Sequence, residues 1–194
     1  MSGVIIFNGP PGSGKDTAVK FASEVVDAEH VKVSAPIYNA IGRLFEINHD
    51  RWRDLYLNHK DEPSMLLCGM TPRQAMTWMS EEAVKPQFGN SFFGRIAAQK
   101  ASEIVNRSKW CVMSDGGFME EVREVVHSVG ENNCFLVHLR RKGCSFYNDS
   151  RSYLLPEDLR LKHSRFYSVE NNGDLDDYRN KVYAIMNMIK HVQI

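Results

Sequence analysis

Net charge is the first thing this 194-residue chain lacks: 24 Lys and Arg stand against 24 Asp and Glu. No global field therefore draws it to nucleic acid or to an anionic membrane, and any phosphate chemistry must come from local clusters. Long apolar runs are also missing. No stretch is long enough to span a bilayer, and the apolar run near the amino terminus has strand length, with neither a basic leader nor a small-residue cleavage pattern, so we expect no signal peptide. Cysteine is sparse: Cys68, Cys111, Cys134 and Cys144 form no CxxC pair. That argues against zinc and against a secreted disulfide framework, and for a reducing, cytoplasmic compartment. The histidines show no metal-ligand spacing. Repeats, low-complexity tracts and clear linkers are absent, and the length suits one domain with room for a mobile sub-domain.

What is present begins with a loop. Gly9-Pro10-Pro11-Gly12-Ser13-Gly14-Lys15-Asp16-Thr17 follows the apolar run Val4-Ile5-Ile6-Phe7 and opens an amphipathic stretch at 18–26, which reads as strand, glycine-rich turn and helix. Glycines let backbone N–H groups converge on phosphate oxygens, the lysine reaches the terminal phosphates, and the helix amino terminus adds its positive end. The general motif places Ser or Thr directly after the lysine to touch magnesium. Here Asp16 stands in that position and Thr17 follows.

Periodicity then predicts a short second strand over 30–34, a helix over 37–47 with Pro36 in its first turn, and helix pieces with a loop through the aromatic-rich stretch 48–70. Thr71-Pro72 starts a helix by both cap and proline signals, with Met76, Met79 and Ala83 toward the core. A further helix covers 91–106, with Arg95 and Lys100 off its apolar stripe. A third strand at 110–113 ends on Ser114-Asp115-Gly116-Gly117, and a helix spans 118–129. The fourth strand, 134–139, ends on Arg140-Arg141-Lys142-Gly143. The polar, basic stretch 144–162, which contains Arg151, suits a mobile lid more than a packed element. A short strand at 166–169 and a turn at Asn171-Asn172-Gly173 lead to a helix capped by Asp174, with Leu175, Tyr178, Val182, Ile185, Met186 and Ile189 facing inward. Strands alternating with helices imply an α/β fold whose mostly parallel sheet is covered on both faces.

The ordered set GSGKDT at 12–17, Ser34-Ala35-Pro36, Thr71-Pro72-Arg73-Gln74-Ala75, Asp115, Arg140-Arg141 and Asn172-Gly173-Asp174-Leu175 resembles the deoxynucleoside monophosphate kinases of tailed phages, and Asp16 after the lysine is similar to the variant found there and in phosphomevalonate kinases. The resemblance covers nearly the whole chain. It implies a three-layer α/β/α P-loop kinase fold with a five-stranded sheet, a core of 1–34, 108–140 and 164–194, a helical acceptor-binding region at 35–107 and a lid near 141–163. It also implies ATP as donor, Mg2+, a nucleoside monophosphate acceptor, and the cytoplasm as location, that of the host if phage-encoded. No nucleic acid or membrane partner is expected, and a homodimer is left open. Where members of that family often carry Asp-Val-Arg-Phe after the third strand, this chain has Asp115-Gly116-Gly117-Phe118.

Phosphoryl transfer needs charge neutralisation and in-line positioning rather than a covalent protein group. Donor phosphates fall to Gly9, Pro11, Gly12, Ser13, Gly14, Lys15, Asp16 and Thr17, with Arg140; Asn172 and Gly173 border the adenine by resemblance. Asp16 and Asp115 are the expected magnesium carboxylates. Lys15, Arg140, Arg141 and Arg151 are the catalytic cations, because guanidinium groups match phosphate oxygens in pairs. Arg73 sits in a first helical turn, where its charge opposes the macrodipole, so with Gln74 it is read as contacting the acceptor, alongside Ser34, Arg95 and Asp115; a surface salt bridge is the bland reading of Arg73. The aromatics at 52–56 favour a base pocket. Three rivals stand beside this reading: a kinase of another phosphorylated metabolite, an ATP-binding regulator without turnover and, ranked last, a nucleic-acid-binding ATPase.

Overall fold

The computed structural model describes residues 2–147 and 149–192, so positions 1, 148, 193 and 194 of the ranges expected above lie outside it. The chain divides into two compact units, Ser34–Phe93 and the remainder.

The larger unit is built on five parallel strands in the order β2-β3-β1-β4-β5: β1 (Gly3–Asn8), β2 (Ala28–Val31), β3 (Trp110–Met113), β4 (Cys134–Arg140) and β5 (Phe166–Glu170). The first strand in sequence is thus central, with Ile5 opposite Val112 on one side and Phe135 on the other. Every residue of β1 is buried, as expected of a parallel strand covered on both faces. Ile5 and Phe7 pack with α1 (Lys15–Val25) and with the helix Leu175–Val192, in a cluster that holds Phe21, Ala22, Tyr178, Val182 and Met186. Ile6 points the other way, toward Val122 of Met119–Val129. The helix Phe92–Asn106, apart from Phe92 and Phe93, also belongs to this unit, and its Gly94 lies so close to the Glu121 backbone that a Cβ would stand 2.4 Å from Cα. Helices on both faces of a parallel sheet give the three layers.

The smaller unit carries α2 (Ala35–Leu44), α3 (His49–Asn58), a 3₁₀ turn (Met65–Leu67), α4 (Pro72–Thr77), a π-helical stretch (Trp78–Val84) and α5 (Lys85–Phe88). Completing the helices of the chain in order, Phe92–Asn106 is α6, Met119–Val129 α7 and Leu175–Val192 α8.

Four expectations are corrected. The second strand lies at 28–31 rather than 30–34, because its partner β3 ends at Met113, opposite Val31; Val33 then turns its N–H onto Asp115 Oδ1 at 2.8 Å. Met76, Met79 and Ala83 are only half-buried. In α4 the buried positions are Pro72 and Ala75; past Thr77 the wider winding of the π segment rotates the stripe, and Ser80 and Lys85 are buried in place of Met79 and Ala83, Lys85 against Glu81 at 2.8 Å. Leu175 is 60% exposed, since it stands at the first turn of α8, ahead of the buried stripe that starts at Tyr178. The stretch expected to be a mobile lid is packed in its second half: Leu154, Leu159 and Leu161 are buried, and apolar side chains removed from water hold the backbone there.

Candidate phosphate-binding and catalytic site

The glycine-rich loop leaves the carboxyl end of β1 between β3 and β4, where open α/β sheets bind ligands. Gly12 and Gly14 have φ of 78° and 98°, a region that L side chains avoid. At Gly14 space is closed as well: a Cβ would lie 2.6 Å from Asn171 Nδ2 and 3.1 Å from the Tyr178 ring. Those two residues brace the loop from behind. Asn171 Nδ2 donates to Ser13 O at 3.0 Å, and Tyr178 Oη donates to Gly14 O at 3.0 Å. Burial raises the Tyr178 phenol above its ordinary range, so it stays a donor. Lys15 Nζ donates to Gly9 O and Pro10 O, both at 2.7 Å. Burial, then the Arg151 guanidinium nearby, lower the ammonium to about 8, against the opposing carboxylates of Asp16, Asp149 and Asp115.

Asp16 opens α1 and meets the ends of β2 and β3. Its Oδ1 accepts from Ser114 Oγ at 2.8 Å and from Lys32 Nζ at 2.9 Å, while Ser114 Oγ lies 2.8 Å from His30 Nε2. Among the described residues Oδ2 has no hydrogen-bond partner. Partial burial pushes the carboxyl up, but the Lys32 ammonium and the Ser114 hydroxyl outweigh it and hold the group below its usual range. Lys32, His30 and Ser114 did not emerge from the sequence as site residues. The available signal was a cation and a hydroxyl at strand carboxyl ends near a loop aspartate.

Of the basic residues at the end of β4, Arg141 touches the loop. Arg141 Nη1 donates to Gly12 O at 3.2 Å, and the Arg140 guanidinium stands 5.6 Å over the Tyr153 ring. Among the described residues, neither arginine has an acidic partner. Arg151 is held by Asp149, Nε on Oδ1 at 2.8 Å and Nη2 on Oδ2 at 2.5 Å. Asn172 Oδ1 accepts from Lys142 N at 2.7 Å, and Asn171 N donates to Arg140 O at 2.8 Å, so the turn 171–173 is tied to the basic end of β4.

Asn8, the last residue of β1, also went unrecognised. It is buried; its Nδ2 donates to Gly116 O at 3.2 Å and Ser152 O at 3.3 Å, and its Oδ1 accepts from Leu154 N at 3.1 Å. With His138 Nε2 on Leu154 O at 2.8 Å, it fastens 152–154 to the sheet. Its signal was a lone amide ending an otherwise apolar strand.

In the smaller unit the expected acceptor residues have internal partners. Arg73 is paired bidentately with Asp61, at 2.6 and 3.2 Å. Gln74 completes a capping box with Thr71. Ser34 stands at the start of α2, and Arg95, in the larger unit, is exposed on α6. Trp52 is 2% exposed, stacks on Tyr38 at 5.2 Å and donates from Nε1 to Tyr38 O at 2.9 Å. It is a core residue of its unit rather than a platform for a base.

No family model matches the chain, and no curated protein is similar to it in sequence. Solved structures do share its fold. An unliganded sugar kinase from Janibacter sp. HTCC2649 is 9% identical over 100% of this chain and 99% of that one, with a TM-score of 0.50. A gluconokinase from Sinorhizobium meliloti 1021 is 12% identical over 97% and 94%, TM-score 0.50. Shikimate kinase from Acinetobacter baumannii, in complex with shikimate, is 14% identical over 100% and 96%, TM-score 0.50. At these identities the likeness is one of fold: the chain has the α/β fold of P-loop kinases.

Proposed function

We propose that this chain is an ATP- and magnesium-dependent kinase that transfers the γ-phosphoryl group to a deoxynucleoside 5′-monophosphate, releasing the diphosphate and ADP. The observation that carries the reading is the set of cations on one loop: Lys15, Arg141 on Gly12, and Arg151 close enough to act on the Lys15 charge. A loop that only bound nucleotide would need the backbone cradle and Lys15, not two further guanidinium groups at the terminal-phosphate end.

Magnesium fits the donor set. Asp16, Asp115 and the Ser114 hydroxyl offer only oxygen, which that ion prefers. Asp16 and Asp115 would hold it directly or through water, where it would neutralise phosphate charge. The protein's own groups do the rest. Loop N–H groups and Lys15 fix the donor phosphates, Arg140, Arg141 and Arg151 balance charge on the transferring group, and Asn172 with Gly173 border the adenine. Arg73, Gln74, Ser34 and Arg95 are assigned to the acceptor.

A second acceptor class, another small phosphorylated metabolite, is favoured by one observation: Arg73 and Gln74 are already engaged by Asp61 and Thr71. An ADP-release assay across the deoxynucleoside and ribonucleoside monophosphates decides. Turnover of one or more is expected; none with any monophosphate, alongside intact ATP binding, would overturn the nucleotide reading. A mere ATP-binding regulator would keep its activity in Arg140→Ala, Arg141→Ala and Arg151→Ala, changes that would cripple a kinase by orders of magnitude.

A further inference from the structure

Gly117 has no backbone reason to be glycine, because its φ lies outside the left-handed region. Its reason is spatial. A Cβ there would stand 2.5 Å from Arg151 Cδ, 2.9 Å from Cγ and 3.2 Å from Cβ, so three successive stem carbons of Arg151 lie along the bare backbone after β3. The far end of that side chain is fixed as well. Asp149 receives Nε and Nη2 in a two-pronged pair, and its Oδ1 also accepts Arg151 N at 3.0 Å. Both side chains are largely shielded, 25% and 16% exposed, and charge-assisted pairs of this geometry orient a guanidinium plane firmly. The root of the segment is held by Asn8 through Ser152 O and Leu154 N.

We propose that Gly117 and Asp149 are positioning residues for Arg151: a groove under its stem and an anchor on its head, which together carry one guanidinium from the segment after β4 across to the phosphate group held at Lys15. The inference rests on the phosphoryl-transfer reading. It adds to that reading why the loop after β3 is bare at position 117: the cation comes from a different segment, and a side chain at 117 would displace it.

The experiment is a pair of double-mutant cycles, read by thermal unfolding and by steady-state kinetics. Gly117→Ala alone should lower both Tm and kcat, the latter by about 10²-fold as expected for a catalytic group moved by about an ångström, with the KM for ATP changed by less than about threefold because Lys15 and the loop amides are untouched. In an Arg151→Ala background Cγ and Cδ are gone and the methyl meets only Cβ, at 3.2 Å. Gly117→Ala should there lose most of its cost in Tm and all of its effect on kcat. Asp149→Ala should cost kcat about tenfold and likewise lose its effect once Arg151 is Ala, whereas Asp149→Glu, keeping a carboxylate, should restore part of the activity. Effects that multiply, or a Gly117→Ala variant with unchanged Tm and kcat, would overturn the proposal. If the wild type phosphorylates no acceptor, the kinase reading fails by itself, and the Tm cycle still decides whether Gly117 and Arg151 are coupled.

Discussion

Lys15 combines a half-buried ammonium with two carbonyl acceptors, and its lowered pKa sets a pH limit on the proposed function. Protonated below about 8, it can neutralise phosphate; above that the free enzyme loses the charge. We therefore expect kcat/KM for ATP to fall as pH rises through about 8, and kcat at saturating nucleotide to hold to higher pH, because bound phosphates favour the ammonium. A profile flat to pH 10 would contradict this. Stability takes the opposite sign: between about 8 and the ordinary value of 10.5 the unfolded chain binds more protons at this residue than the folded one, so this group's contribution to stability rises with pH across that window. Arg140 and Arg141, without acidic partners among the described residues, should each cost about 10²- to 10³-fold in kcat when changed to Ala. Lysine in their place should recover only part, since an ammonium cannot pair two phosphate oxygens in one plane.

Among the elements, the capping box of α4 and the Asn8 clamp make separable predictions. Thr71→Ala removes a cap and should cost about 1 kcal/mol, seen as faster amide exchange at the start of α4 with ATP affinity unchanged. Asn8→Ala leaves Gly116 O, Ser152 O and Leu154 N without their side-chain partner, at roughly 2–3 kcal/mol, and should open 152–161 to limited proteolysis. The contrast between these two sites explains what the sequence discloses. Thr71-Pro72 and the loop at 9–17 are local signals, complete within a few residues, as are the alternating strands and helices, so the three layers and the phosphate loop could be read directly. Asn8, Lys32, Asn171 and Tyr178 acquire meaning only from partners 98 to 164 residues away or held by such partners, and no period or motif encodes that. Boundaries failed where tertiary pairing decided them: β2 stops where β3 stops, and the π segment turns a stripe that ordinary helical spacing had aimed inward.

At the scale of the whole molecule, the glycine-rich loop is supported by the far end of the chain. Tyr178→Phe deletes one hydrogen bond to Gly14 O without changing the packed ring; we expect a loss of about 1 kcal/mol in stability and weaker ATP binding by calorimetry, with a Gly14→Ala variant failing more severely because ring and amide both block the methyl. The bracing also has a temporal meaning. During synthesis Gly14 is made 164 residues before Tyr178, and β1 waits for β3 and β4 before either of its edges is paired. A nascent chain halted before α8 would hold every residue of the loop and still lack the supports behind it, so nucleotide capture should begin only once that helix has cleared the ribosome, making ATP a ligand of the finished fold and not a template for it.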